Sequence, residues 1–434
     1  MIWAYRLLFA ALALFWAPYY LWRMRRRGGY AAGFAERFGR LPPLPEKRGK
    51  RVWLQAVSVG ELLAAAPLLD ALRARGVEVY LTVTTSTARQ LVAEKFAGRV
   101  TGAGYFPLDW WPFSARAWRG LRPDLVVLME GERWPEHLRQ AARRGVPSLV
   151  VNARLSDRSF RRMRRVPSVS RWLLRGVTRM LAASERDAER LRGLGFPAER
   201  LEVTGNLKLD VTPAELTAGE AAALREELGF GGGAAGDAIL LGSSTWEGEE
   251  EALVRTFLAM RAAGCRARLL VVPRHGERRA ALTRLFDASG LRWHLRSRGA
   301  APGEMEACVA DTTGELRRLT CLARLVFVGK SLPPFQHEGQ SPVEAAALGK
   351  PILFGPGMTN FKAIADGLAG AGAARVVADA GALERAALEL WRDNAALERM
   401  AAAARAWHRV NQGATERTLR VILEMLGNPA APAV

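Results

Sequence analysis

Residues 53–73, WLQAVSVGELLAAAPLLDALR, hold the change of period that decides the fold. Residues 52–57 form a branched, apolar run suited to a buried strand. From Glu61 onward, Leu62, Leu63, Ala66, Leu69 and Leu72 fall at helical spacing. Ser58-Val59-Gly60-Glu61 forms the turn between them. Gly60 is expected to permit a tight bend, and Glu61 lands in the first helical turn. In an open parallel sheet, ligands bind at such turns. Taken alone, Glu61 is either a favourable charge at a helix start or a reactive carboxylate.

The alternation continues outward. Further strands are expected at 77–83, 125–129, 148–151, 180–183 and 201–204, with helical patterns at 62–73, 135–144 and 184–194. A second series has strands at 238–242, 267–272, 307–310, 325–328, 351–354 and 375–377. Helices at 247–263, 276–289, 314–321, 342–348 and 361–368 lie between them. This is the pattern of an α/β fold with parallel, doubly wound sheets. The expected architecture is two Rossmann-like domains facing across a cleft, residues 28–210 and 237–410. Residues 211–236 are expected as an interdomain linker and 411–434 as a closing helix with a tail.

A chain of 434 residues exceeds one ordinary core, which agrees with two domains. The formal charge is +20, and only seven of the 63 basic residues are Lys. Such a surface attracts nucleic acid, membranes or phosphorylated substrates alike. Cys265, Cys308 and Cys321 form no disulfide framework or metal spacing, as in a reducing compartment.

Residues 1–27 read as a membrane anchor. Residues 7–22 are uncharged and rich in aromatics, and Arg6 is expected to snorkel out of their start. With residues 2–5 the run approaches the ~20 residues of a membrane span. Arg23, Arg25, Arg26 and Arg27 follow, with no small-residue cleavage site before them. The positive-inside rule keeps these arginines, and all that follows, in the cytoplasm. Pro18 with Trp16, Tyr19, Tyr20 and Trp22 also suits a helix lying in the interface.

Several motifs fail for want of context. Gly229-Phe230-Gly231-Gly232-Gly233-Ala234 matches a dinucleotide fingerprint by letter, but it precedes a strand. Gly329-Lys330-Ser331 resembles the end of a P-loop, yet Arg324 stands where the first glycine belongs. His337-Glu338 lacks a second His four residues on, and no Asp-x-Asp pair is present. No metal site and no cofactor are therefore expected. The eight arginines of residues 154–175 come without a nucleic-acid motif, so nucleic acid is not an expected partner.

Chemically loaded loops follow the expected strands. Met129-Glu130-Gly131-Glu132-Arg133-Trp134-Pro135 places two carboxylates at a strand end, where capping of the next helix would explain Glu132 more readily than Glu130. Thr204-Gly205-Asn206-Leu207-Lys208-Leu209-Asp210 carries a Lys able to neutralise developing negative charge, or simply a solvated hinge Lys. In the second half, Pro273-Arg274-His275 ends a strand and opens a helix, a place for a phosphate. Thr312-Thr313-Gly314-Glu315 repeats the arrangement, and Gly339-Gln340-Ser341-Pro342-Val343-Glu344 sets a carboxylate just inside a helix, placed to hold ribose hydroxyls.

Together, Ser58-Val59-Gly60-Glu61, Met129-Glu130-x-Glu132-x-Trp134-Pro135, Asn152-Ala153-Arg154-Leu155-Ser156 and Gly205-Asn206-Leu207-Lys208-x-Asp210 resemble the bacterial 3-deoxy-D-manno-octulosonic acid (Kdo) transferases. So do Glu36-Arg37-Phe38-Gly39, Val272-Pro273-Arg274-His275, Gly314-Glu315 and Glu344-Ala345-Ala346. The resemblance covers nearly the whole chain. It implies a GT-B glycosyltransferase that moves Kdo from CMP-Kdo to the lipid A precursor (lipid IVA), on the cytoplasmic face of the bacterial inner membrane. On that resemblance Glu61 is the general base, and Glu130 and Lys208 stabilise the transition state. Pro273, Arg274, Thr313, Gly314, Glu315, Ser341, Pro342, Val343 and Glu344 surround CMP. The transfer is metal-independent and inverting. The basic surface (Arg23–Arg27 and part of 154–175) faces the membrane and its phosphorylated glycolipid.

The match is not uniform. Gly131, Arg133 and Glu136 stand where Thr, Leu and Asn are usual, and Trp246 where His is common. Gly329-Lys330-Ser331 replaces a Gly-Gly-Ser, and Glu338-Gly339-Gln340-Ser341 a Gly-Gly-His-Asn. Two other readings fit the residues: a GT-B transferase for another nucleotide sugar and lipid, and a non-catalytic binder of anionic lipids.

Overall fold

A computed structural model of the chain describes residues 1–27, 33–211, 214–231, 237–332, 334 and 337–427. It divides into two compact units, Met1–Val211 with Gln412–Val434, and Thr212–Asn411. The chain therefore passes between units twice.

The first unit contains β1 (Arg51–Ala56), β2 (Glu78–Val83), β3 (Gly102–Tyr105), β4 (Leu125–Met129), β5 (Ser148–Ala153), β6 (Arg179–Ala182) and β7 (Leu201–Val203). They form one sheet in the order β3-β2-β1-β4-β5-β6-β7, and every ladder is parallel. The central strands are buried along their whole length, as helices on both faces require. Alternation along β1 shows the two layers. Val52, Leu54 and Ala56 join a core with Leu62, Leu69 and Leu72, whereas Trp53 joins one with Trp118 and Phe106 on the opposite face.

The second unit holds β8 (Ala238–Thr245), β9 (Ala267–Pro273), β10 (Trp293–Leu295), β11 (Ala307–Val309), β12 (Ala323–Val328), β13 (Ile352–Phe354) and β14 (Ala374–Val376). Their order is β10-β11-β9-β8-β12-β13-β14, again entirely parallel. Strand order reverses between β1 and β4 in one sheet and between β8 and β12 in the other. At these switch points neighbouring loops diverge and open a crevice at the strands' carboxyl ends.

The closing helix Ala414–Met425 returns to the first unit, burying Leu419, Val421, Ile422 and Leu423 in the Leu62 core. Asp210 fixes its start, accepting from the amides of Gly413 at 2.8 Å and of Thr415. Arg417 Nε donates to the Thr204 carbonyl at 2.8 Å, so the helix also braces the loop bearing Lys208.

Four expectations change. Strands β3 and β10 were not legible, and both are short edge strands. In β3 the glycines serve packing: a Cβ on Gly104 would meet the Tyr80 hydroxyl at 2.8 Å, and on Gly102 the Tyr80 ring at 3.0 Å. Residues 211–236 are not simply a linker. Thr217 and Glu220 form a capping box on the helix Ala218–Glu227, and Leu224, Leu228 and Phe230 are buried; residues 232–236 of the glycine-rich loop lie outside the described residues. Gly60 adopts no left-handed conformation and a Cβ there would have room, since Ser58 makes the turn instead. Arg6 does not snorkel. It is buried against Glu136, with both guanidinium contacts at 2.9 Å. The helix it starts, Ile2–Arg27, is long and apolar enough to cross a membrane by length and composition.

Candidate active site

At the β1/β4 switch point the loops bring Glu61, Glu130 and Lys208 together. Ser58 caps the helix Val59–Ala74 by accepting from the Glu61 amide at 3.3 Å. The Glu61 carboxylate turns back over that cap: it accepts from the Val57 amide at 2.9 Å and the Ser58 hydroxyl at 3.1 Å. Only 8% of the residue is exposed. Burial, reinforced by the charges of Glu130 and Glu132, pushes its pKa up to about 7, against hydrogen bonds that favour the anion.

Glu130 ends β4 in the left-handed region, with φ of 54°. That backbone costs a non-glycine residue on the order of 1 kcal/mol or more. It is fixed by its amide bond to the Val151 carbonyl at 2.9 Å. Lys208 Nζ lies 2.7 Å from Glu130 Oε1, Asn152 Nδ2 3.4 Å and Arg154 Nη1 3.8 Å. Asn152 is also left-handed, at φ 53°, and its Oδ1 accepts from the Leu207 amide at 3.2 Å. One buried Asn thus ties the end of β5 to both the Glu130 and the Lys208 loops. Lys208 is no freely solvated hinge residue. Asn152 and Arg154 stood in a quoted motif, but their link to Glu130 needs the fold to be seen.

Glu132 is not a helix cap. The first amides of the helix Pro135–Arg143 go to Asp109, Glu136 N to Oδ2 at 3.1 Å and His137 N to Oδ1 at 2.9 Å. Burial raises the Glu132 pKa. Next to it, Arg133 has Nε and Nη2 enclosed without hydrogen-bond partners among the described residues, and burial lowers its pKa. Enclosed guanidinium donors in a site loop suit an anionic ligand.

In the second unit the expected CMP-binding residues occupy the same end of the sheet, on separate loops. Pro273 closes β9, and the Arg274 amide donates to the Thr245 carbonyl of β8 at 3.0 Å. After β11, Gly314 is left-handed at φ 91°, and Glu315 accepts from Thr312 Oγ1 and, at 3.1 Å, from Arg296. Burial works against the charge there, but those bonds hold the Glu315 carboxyl below its usual range. Thr313 is placed beside them by sequence alone. Beyond β12, Ser341 Oγ accepts from the Val343 amide at 3.3 Å. Pro342 and Val343 begin the helix Val343–Ala347, in which Glu344 has Oε2 enclosed and without a hydrogen-bond partner among the described residues.

The β8/β12 switch point is organised by Glu249, a residue that no motif in the sequence marks. Glu249, fully buried, accepts from the amides of Trp246 at 2.9 Å, Lys330 at 2.7 Å, Ser331 at 2.8 Å and Leu332 at 3.0 Å. Lys330 is left-handed at φ 57°, pairs with Glu338 and lies 4.5 Å from the centroid of the Trp246 ring. Trp246 meets His275 edge-on, 4.9 Å between centroids. Three of the departures noted in the sequence, Trp246, Lys330 and Glu338, are therefore packed together with His275. Among the described residues no group of three or more His, Cys, Asp or Glu converges on a metal position.

A family model described as 3-deoxy-D-manno-octulosonic-acid transferase (kdotransferase) matches residues 32–211. The 3-deoxy-D-manno-octulosonic acid transferase of Bordetella pertussis is 36% identical over 94% of this chain and 96% of its own. That of Haemophilus influenzae is 30% identical over 91% of each. The fold also resembles a crystal structure of UDP-N-acetylglucosamine 2-epimerase, with TM-score 0.62 at 15% identity over 89% of this chain and 99% of that one. A glycosyltransferase from Rickettsia africae gives 0.61 at 12% identity over 88% and 100%. Likeness at that identity concerns the two-domain, GT-B-like fold alone.

Proposed function

The chain belongs to the 3-deoxy-D-manno-octulosonic acid transferase family, and on that footing we propose that it moves Kdo from CMP-Kdo to a lipid A precursor, with Glu61 as the general base. The observation that carries this reading is the desolvated carboxyl of Glu61 beside an ion-paired Glu130, all on loops at one switch point. A base whose pKa lies near the working pH combines availability with proton affinity. Glu61 takes the proton of the acceptor hydroxyl as its oxygen bonds to the anomeric carbon of Kdo. The bond from that carbon to the CMP phosphate oxygen breaks on the opposite face, inverting the centre, and its electron pair leaves with CMP.

Glu130 and Lys208 stabilise the charges that develop during transfer, the carboxylate opposite an oxocarbenium-like carbon and the ammonium opposite an anionic group. In the second unit Pro273, Arg274, Thr313–Glu315 and Ser341–Glu344 hold CMP. Arg274 meets the phosphate, and the enclosed Oε2 of Glu344 accepts from ribose hydroxyls. Arg133 supplies donors to an anionic group of either substrate. The basic surface and the N-terminal helix hold the enzyme to the cytoplasmic face of the inner membrane, where its glycolipid acceptor resides.

Mass analysis of the lipid formed from CMP-Kdo and lipid A precursor tests the assignment. One or more Kdo increments support it. Turnover only with a UDP-sugar would instead assign the rebuilt Trp246–Lys330 cluster to another donor, and no turnover with either would favour an anionic-lipid binder.

A further inference from the structure

The Ile2–Arg27 helix is docked on the first unit at its start, and the chain from Gly33 onward folds into the same unit. At its start, Arg6 makes the buried bidentate pair with Glu136, and the Tyr5 hydroxyl donates to Asp109 Oδ2 at 2.7 Å. The Tyr5 ring stands 6.0 Å from that of Trp172. These partners belong to the body of the unit: Glu136 is fully buried and Asp109 is 1% exposed. Past its end, the chain re-enters the same body at the 3-10 helix Phe34–Phe38, where the buried Glu36 accepts from the Tyr105 amide at 2.7 Å.

At 1.5 Å per residue, Arg6 and Arg26 are about 30 Å apart along the axis, about the thickness of a bilayer's hydrocarbon core. A helix crossing that core with Arg26 at the cytoplasmic edge would carry Arg6 to the opposite edge. The body to which Arg6 is locked would have to follow, and its folded polar surface cannot enter hydrocarbon. Docking of Tyr5 and Arg6 and a full crossing exclude each other.

We propose that the helix does not cross the bilayer: both of its ends lie on the cytoplasmic side, and it is immersed lengthwise in a single leaflet. This rests on the membrane attachment proposed above and specifies its form. Beyond the docked start, Leu7, Leu8, Leu14 and Phe15 are 59–82% exposed, leaving an apolar surface for acyl chains. Beside the docked start, Leu108, Trp111, Val166 and Val169 are exposed too. Arg158, Arg161, Arg162, Arg164 and Arg165 lie on the adjoining segment, the helix Asp157–Arg164 and its C-cap, which buries none of its residues, so the apolar surface is flanked by charge that suits anionic headgroups. Because Asp109 and Glu136 also shape the start of the helix that follows the Glu130–Trp134 loop, the lipid-seated helix is joined directly to the site.

The test places a short tag of zero net charge, cleavable by an added protease, ahead of Met1 in the full-length chain. Intact and lysed spheroplasts are then digested. The expected result is a tag protected in intact spheroplasts and removed after lysis. Removal from intact spheroplasts would overturn the proposal while leaving membrane attachment standing. Recovery of the protein in the soluble fraction after lysis would instead remove the attachment itself, and the proposal with it.

Discussion

Replacing Glu61 with Gln keeps the shape of the cap and removes the titration. The wild-type carboxyl has a pKa of about 7 in the fold against a reference of 4.5. An acid raised on folding binds its proton more tightly in the native state, so stability falls as pH rises from the lower value through the upper. For a pair of pKa values near 4.5 and 7, the linkage relation gives a loss of about 2 kcal/mol between pH 5.5 and 8.5. The substituted amide does not titrate, and it can still accept from Val57 and meet Ser58. Urea unfolding of both proteins at the two pH values, followed through the first unit's transition, should show the Glu61→Gln variant losing about 2 kcal/mol less than wild type. In the transfer assay the variant should fall by about 10²- to 10⁴-fold in kcat, the range for loss of a general base. The wild-type acid limb, with a midpoint near pH 7, should vanish from the residual rate. A variant with normal turnover, or one whose residual activity keeps that limb, would refute the assignment of the base.

Three further outcomes follow. Lys208→Met should lower kcat by about 10²- to 10³-fold, as for loss of one transition-state donor, while changing stability by at most about 1 kcal/mol, since both partners are about a quarter exposed; steady-state kinetics with denaturation curves check both. Glu136→Ala strands the buried Arg6 guanidinium and should destabilise the first unit by about 3–5 kcal/mol, whereas the double change Arg6→Met with Glu136→Met should cost much less in the same melt. Glu249→Ala removes one carboxylate from four backbone amides; at about 1–3 kcal/mol per orphaned buried donor, partly relieved by water, the second unit should melt early or fail to accumulate, as calorimetry or soluble yield would show.

The central strands were legible because burial on both faces leaves little but branched apolar residues, as in β1, β4, β5, β8 and β9. Edge strands escape that rule. β3 reads Gly-Ala-Gly-Tyr because Tyr80 occupies the space its side chains would need, a constraint set by a residue on the neighbouring strand. The same limit governs the site. Glu61 stands out through its place at a change of period, whereas Glu130 and Lys330 adopt left-handed backbones that no residue-type preference announces. Glu249 is one of three acids in the first turn of its helix. Only the fold turns it inward to collect the amides of two separate loops. Arg6 was misjudged for a related reason: a lone charge at the edge of an apolar run snorkels only when no buried carboxylate is within reach.

The arrangement of charge around the first switch point separates the tasks of two carboxylates of one chemical type. Glu130 has Lys208 at 2.7 Å, with Arg154 and Asn152 beyond. Glu61 has no cationic partner among its hydrogen bonds; its neighbours are an amide, a hydroxyl and two acids. Glu130 is thus matched with cations while Glu61 is held close to gaining a proton, a difference of environment that suits acid–base chemistry near neutral pH. The Lys208 ammonium therefore acts on Glu61 at one remove: removing it leaves the Glu130 charge uncompensated beside Glu61, which should move the acid limb of the pH profile to higher pH as well as lower its height. A Lys208→Met variant whose rate falls with an unmoved midpoint would show that Lys208 serves only the reacting groups and that the two carboxylates are not coupled through it.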